Sequence, residues 1–130
     1  MWRVAHESAR YNGFPAGPYA CSDALPTRSV SILFHMGLEH SGTDHPSPYA
    51  DPALRGIADF ERCGFESREA LNAWFDGWSE ALDEAGMRVW VYDVPDWCAR
   101  SGFAGQVVFD ALEAVEVDAY AFEPEQLSLF

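Results

Sequence analysis

Apolar positions recur at helical spacing in one long stretch of this chain and alternate in several short ones. From Ser67 onward, Leu71, Trp74, Phe75, Trp78, Ala81, Leu82 and Ala85 fall on a single stripe of a 3.6-residue period. The spacing predicts one amphipathic helix, capped by Ser67, with Glu69 favourably placed in its first turn and Gly86 as its stop. The period then changes to two. Over Met87–Val94, Met87, Val89 and Val91 point one way and Arg88, Trp90 and Tyr92 the other, which predicts a strand whose aliphatic side meets the helix.

The remaining elements are shorter. Trp2–His6 reads as a first strand, with Trp2, Val4 and His6 on one face and Arg3 and Ala5 on the other. Glu7–Pro26 is rich in Gly, Pro, Tyr and Ser and predicts a long loop or a loose hairpin, a kind of segment that often carries function in small domains. Thr27–Leu38 fits both periods; a helix capped by Thr27 is preferred. Glu39–Tyr49 is a polar loop, and Asp51-Pro52 predicts a helix start running to about Phe60, with Cys63–Phe65 linking onward. Asp96–Gly105 reads as a loop. Gln106–Asp110 and Val115–Phe122 read as strands, expected to pair across Ala111–Ala114. Residues 123–130 form an expected peripheral tail. This order predicts a single α+β domain over residues 1–130, with a mainly antiparallel sheet and two or three helices on one face. Trp90, Tyr92, Tyr120 and Phe122 would line the other face, as core if the histidine-containing segment covers them and as an exposed aromatic patch if nothing does.

Charge narrows the function classes. The chain carries 21 acidic and 8 basic residues, a formal net charge of −13, and every basic residue is Arg. Direct nucleic-acid binding is not expected, because phosphate contacts require clustered Lys and Arg. A basic protein surface is the expected partner, met by Glu69, Asp76, Glu80, Asp83 and Glu84 on the outer side of the long helix. The competing reading is a solvated helix face. No apolar run approaches the ~18–20 residues of a membrane span, and the first ten residues lack a signal-peptide stretch, so no membrane association and a cytoplasmic location are expected. Cys21, Cys63 and Cys98 are odd in number and far apart, which predicts reduced thiols.

Candidate chemistry is sparse. His35, His40 and His45, near Glu39, Asp44 and Asp51, form a possible metal-ligand set, although a spacing of five matches no standard signature and His45-Pro46 also suits a simple turn. Phosphate-cradling glycine loops and a Gly-x-Ser-x-Gly nucleophile are absent. Arg3 and His6 on an opening strand, Tyr11, Gly17-Pro18-Tyr19 and a late Glu116 or Glu113 resemble the arrangement in small NAD-using ADP-ribosyltransferase folds. That resemblance implies that Arg3 or His6 holds the dinucleotide, with Tyr19 nearby, and that the late glutamate steadies developing oxocarbenium charge. NAD would then be required; otherwise no cofactor is expected. The Ser-Thr-Ser strand and the Glu-x-Glu or Gln-x-Glu pair of that family are missing, since Glu116 is followed by Val117 and Asp118. Arg3 reads equally as a sheet residue paired with surface carboxylates.

Trp2–His6, Gly17–Tyr19, His45–Pro52, Cys63–Ser67 with Leu71–Phe75, Val89–Pro95 and Gln106–Asp110 together resemble a group of short uncharacterised phage and prophage proteins. The resemblance implies a phage context, in which small acidic proteins often bind and block a host factor, including the complexes of CRISPR immunity. The first expectation is therefore a non-enzymatic, phage-encoded inhibitor acting through its acidic surface. An NAD-dependent ADP-ribosyltransferase-like enzyme is the alternative.

Overall fold

The first strand of the chain becomes the middle of its sheet. In the computed structural model, which describes residues 1–19, 24–41 and 44–122, β1 (Trp2–His6) lies between β4 (Glu61–Phe65) and β5 (Met87–Asp93). Outside these come β7 (Gln106–Asp110) with β6 (Ala99–Ser101) on one side and β8 (Val115–Tyr120) on the other, giving the order β6-β7-β4-β1-β5-β8 with every pairing antiparallel. A separate hairpin joins β2 (Arg10–Tyr11) to β3 (Phe14–Pro15) through Asn12 and Gly13, both at positive φ. The helices are α1 (Thr27–Glu39), α2 (Arg68–Trp74) and α3 (Ser79–Glu84). The α+β architecture expected from the sequence is thus the one observed.

Alternation along β1 and β5 separates two cores. Val4, Met87 and Val89 pack with Leu33 and Met36 of α1, Leu71 and Trp74 of α2, and Leu82 of α3. Large side chains of this kind each contribute roughly 1.5–3 kcal/mol by burial, before chain entropy is set against them. On the other face Ala5, Trp90, Tyr92 and Phe109 form a smaller cluster, covered by Phe14 of the hairpin, whose ring stacks on Tyr92 with centroids 5.0 Å apart. The hairpin, and not the histidine segment, covers this face. Tyr120 and Phe122 pack instead against the first core.

The long helix expected after Ser67 is two short ones. Ser67 does cap α2, accepting from the Ala70 amide at 3.0 Å, but α2 ends at Trp74 and α3 begins at Ser79. Gly77 sits at φ +84 between them, a conformation outside the helical region. The apolar stripe survives the break, since Leu71, Trp74, Phe75, Leu82 and Ala85 are all buried in one cluster.

Four further expectations are corrected. Thr27 is the first helical residue and makes no cap, Pro26 standing at the cap position without a side-chain hydrogen bond. No helix follows Asp51-Pro52. Arg55 and Gly56 take φ of +60 and +113, and the chain closes in one turn with the Arg55 amide bonded to the Asp51 carbonyl. Glu61–Phe65 and Ala99–Ser101 are strands, not connecting segments. Finally, β7 and β8 do not pair with each other: β7 is bonded to β4 and β6, while β8 takes the free side of β5.

That last difference shapes the molecule. Four strand spacings separate β7 from β8, about 19 Å in a flat sheet. The link between them includes a turn in which the Glu113 amide bonds the Asp110 carbonyl, so Asp110 to Val115 spans at most about 14 Å. The sheet must therefore coil. It also opens: β1 and β4 are registered at a single pair, Trp2 with Phe65, so the two strands part beyond it. The expected tail, residues 123–130, lies outside the described residues, as do Cys21 and its neighbours.

Candidate functional site

Where β1 and β4 part, a cleft of about 330 Å³ opens, at the lower end of the range for small-molecule sites. Because it passes through the gap in the sheet, it is lined from both faces: Arg3, Tyr11 and Arg62 from the hairpin side, and Val4, Phe65 and Trp74 from the helix side. Gly64 permits the approach of the two strands at the edge of the gap, since a Cβ there would stand 2.7 Å from the Trp2 carbonyl oxygen.

One wall is cationic. Arg3 is 5% exposed and Arg62 8%. Arg3 donates from Nη1 to the Cys63 carbonyl at 2.7 Å and from Nη2 to the Pro15 carbonyl at 3.1 Å. Arg62 donates from Nη1 to the Asp59 and Glu61 carbonyls at 2.7 Å each, and from Nη2 to the Tyr11 carbonyl at 3.2 Å. Both lie over the Phe14 ring. All these acceptors are neutral carbonyls, the Nε of each arginine is buried without a partner, and neither residue forms an ion pair among the described residues. Burial, and next the like charge of Arg3, pull the Arg62 guanidinium below its ordinary range. Two buried cations facing one gap, unneutralised in a protein of net charge −13, favour an anion between them.

The opposite wall is aromatic and hydrogen-bonded. Trp74 Nε1 donates to Tyr19 Oη at 2.9 Å, which leaves the phenol proton for His40 Nδ1 at 2.6 Å. The His40 ring stacks on His45, centroids 3.8 Å apart, and His45 Nε2 donates to the Trp74 carbonyl at 2.9 Å. Burial, reinforced by His45, lowers His40 to about 4, and burial pushes the Tyr19 phenol well above its usual range. His40 is therefore neutral near pH 7, as the hydrogen bond from Tyr19 requires. At the floor, Gln106 is buried at the start of β7 and donates from Nε2 to the Pro46 carbonyl at 3.1 Å.

The residues singled out from the sequence fall into three groups. Arg3, Tyr19, His40 and His45 meet in the cleft. His6 does not reach it: its Nδ1 accepts from the Ser8 and Ala9 amides at 3.1 and 2.9 Å, a turn-closing role on the far part of β1. Glu116 lies exposed on β8, opposite Tyr92, and no Asp or Glu lines the cleft among the described residues. His35 is exposed on α1 against Phe34. No group of three or more His, Cys, Asp or Glu able to hold a metal occurs among the described residues. Glu69, Asp76, Glu80, Asp83 and Glu84 are all exposed, divided between two helices and the turn joining them. Sequence reasoning missed Arg62 and Gln106. Arg62 was hidden because Glu61–Phe65 did not read as a strand; Gln106 opens a strand that did, and its polar side chain at the head of an apolar run was the available signal.

Among the described residues no helix is long and apolar enough to cross a membrane. Residues 1–123 match the model of a protein family described as Bacteriophage T4 Y00F protein. No curated protein and no solved structure matches the chain.

Proposed function

Since the chain belongs to the bacteriophage T4 Y00F protein family, we propose that it is a phage-encoded nucleotide-binding enzyme similar to the small ADP-ribosyltransferases, with NAD as the ligand of the cleft between β1 and β4. The observation that carries this reading is the pair of buried, unneutralised guanidiniums, Arg3 and Arg62, facing an aromatic wall of Tyr19 and Trp74. An anion bearing flat rings satisfies both walls at once. Arg3 and Arg62 would hold the pyrophosphate, Tyr19 and Trp74 would flank a ring, and Gln106, whose amide nitrogen is committed to Pro46, offers its carbonyl oxygen to a hydroxyl. NAD supplies a glycosidic bond whose cleavage releases nicotinamide, the acceptor's nucleophile taking its place at the ribose carbon and giving up a proton. Among the described residues no carboxylate lines the cleft to take the role of the late glutamate.

Titration with NAD at millimolar concentration tests the reading. A ligand at a hundred times its Kd stabilises by about 2.7 kcal/mol, enough to raise Tm by several degrees. Arg3→Gln should remove the shift. If NAD, ADP-ribose and nicotinamide mononucleotide all leave Tm unmoved in the unaltered protein, the cleft is not a nucleotide site.

A second reading is an inhibitor that engages a basic host surface in the cytoplasm. The exposure of all five carboxylates on and between α2 and α3 favours it. Such a contact is screened over about 8–10 Å at physiological ionic strength, so binding to a basic target that persists unchanged in high salt contradicts it.

A further inference from the structure

Cys63 stands where the two walls of the cleft meet. It lines the cleft from β4, half-buried and with a free thiol. Arg3 Nη1, which donates to the Cys63 carbonyl, is 3.8 Å from Cys63 Sγ. The charge of the same sulfur acts on Arg62 at the cationic side and on Tyr19 at the aromatic side. A separate observation marks a ligand here: Arg3 and Arg62 are both more than nine-tenths buried, each keeps an Nε without a partner, and no carboxylate among the described residues lines the cleft with them. The other cysteine among the described residues, Cys98, lies outside the cleft, and its Sγ donates to the Pro95 carbonyl at 3.2 Å.

We propose that Cys63 is a modification site, and that its reagent is a small disulfide bearing a carboxylate. Arg3 and Arg62 hold the carboxylate, the kind of group that guanidiniums recognise, and so keep the S–S bond of the reagent beside the thiol. The Cys63 thiolate attacks one sulfur of the reagent. A new S–S bond forms as the old one breaks, and the other half leaves as a thiolate, which takes up the proton that Cys63 gave up; Cys63 is oxidised and the departing half reduced. The adduct fills the space between the walls and excludes any other anion, and a free thiol reverses it by the same exchange. The inference rests on the cationic pair and not on NAD as the ligand of the cleft.

The test treats the unaltered, folded protein at mildly alkaline pH with two disulfides of similar size and opposite charge, the anionic dithiodipropionate and the cationic cystamine. Arg10, Arg28, Arg62, Arg68, Arg88 and Arg100 place Cys21, Cys63 and Cys98 in separate tryptic peptides, so mass spectrometry follows the adduct at each one by itself. In a protein of net charge −13 an ordinary surface thiol meets the cationic reagent more often. At Cys63 the order should be reversed, with dithiodipropionate reacting about tenfold faster than cystamine, while Cys98 keeps the ordinary order. Millimolar inorganic pyrophosphate, which competes for the two arginines, should slow the reaction of dithiodipropionate at Cys63 and leave that at Cys98 unchanged. Faster reaction of cystamine at Cys63, no adduct at Cys63 with either reagent, or no protection by pyrophosphate would each overturn the inference.

Discussion

The imidazoles of His40 and His45 stack face to face, with ring centroids 3.8 Å apart and planes inclined by 11°. Two rings this close cannot both carry charge at low cost, and the hydrogen bond that Tyr19 donates to His40 Nδ1 needs a lone pair there. The folded value of His40, about 4, lies below its ordinary 6.5, so as pH falls the unfolded chain takes up this proton first. The stability associated with a neutral His40 is full above about pH 6.5 and is lost progressively down to about pH 4, by on the order of 2–3 kcal/mol. Burial lowers His6 as well, which adds in the same sense. Carboxylates also titrate in this window, so the quantity to measure is the difference in denaturation free energy between the unaltered protein and His40→Asn at pH 7 and at pH 4.5. A difference that stays constant between the two would contradict a buried, neutral His40.

Tyr19→Phe tests the direction of the hydrogen bond itself. Loss of the hydroxyl frees His40 Nδ1 and leaves Trp74 Nε1 without its acceptor, for a destabilisation of about 1–3 kcal/mol. The His40 pKa should rise from about 4, because a bond that favours the neutral ring has gone. NMR titration reads it; a fall would mean that the phenol accepts from a protonated Nδ1.

Gly77→Ala distinguishes two helices from one by the sign of its effect. In a continuous helix, alanine would stabilise by about 1 kcal/mol. At φ +84 it should instead destabilise by about 1–2 kcal/mol, although an added Cβ there would meet nothing within 4 Å, so the cost is backbone strain alone. The shift in urea midpoint gives the sign directly.

Asp51→Ala should cost about 2–4 kcal/mol without altering ligand response. The Asp51 carboxylate is 2% exposed and accepts from the Phe103 amide at 2.6 Å and the Ala53 amide at 3.0 Å. It fastens the Pro48–Gly56 turn to the segment leading into β7, and its removal strands both donors. Denaturation measures the loss, and a change below about 0.5 kcal/mol, the scale of ordinary surface substitutions, would show that the two segments are held by other contacts.

The sequence made legible the elements whose side chains alternate without interruption. β1, β5 and β7 have near the expected bounds because period two is continuous in each, and Met87 and Val89 meet the helices as that period requires. What it hid depends on partners far along the chain. Arg62 and Gly64 weaken the strand signal of Glu61–Phe65, yet the arginine is satisfied by carbonyls of Tyr11, Asp59 and Glu61, and the glycine by the closeness of Trp2. Asp51 has the composition of a helix cap, but its carboxylate is claimed by the distant Phe103 amide. Asp76-Gly77 was a turn signal overridden by an apolar stripe that continues across the break. Arg3, Tyr19, His40 and His45 stand out in the sequence one by one, whereas their meeting in one cleft beside Arg62 depends on which strands lie side by side.

The link Ala111–Ala114 joins β7 and β8 although three other strands stand between them. It works as a tie-rod across the coiled wall. It ties the margin strand β8 to β7, one strand in from the opposite margin, and so binds together the two sides that part beyond the Trp2–Phe65 junction.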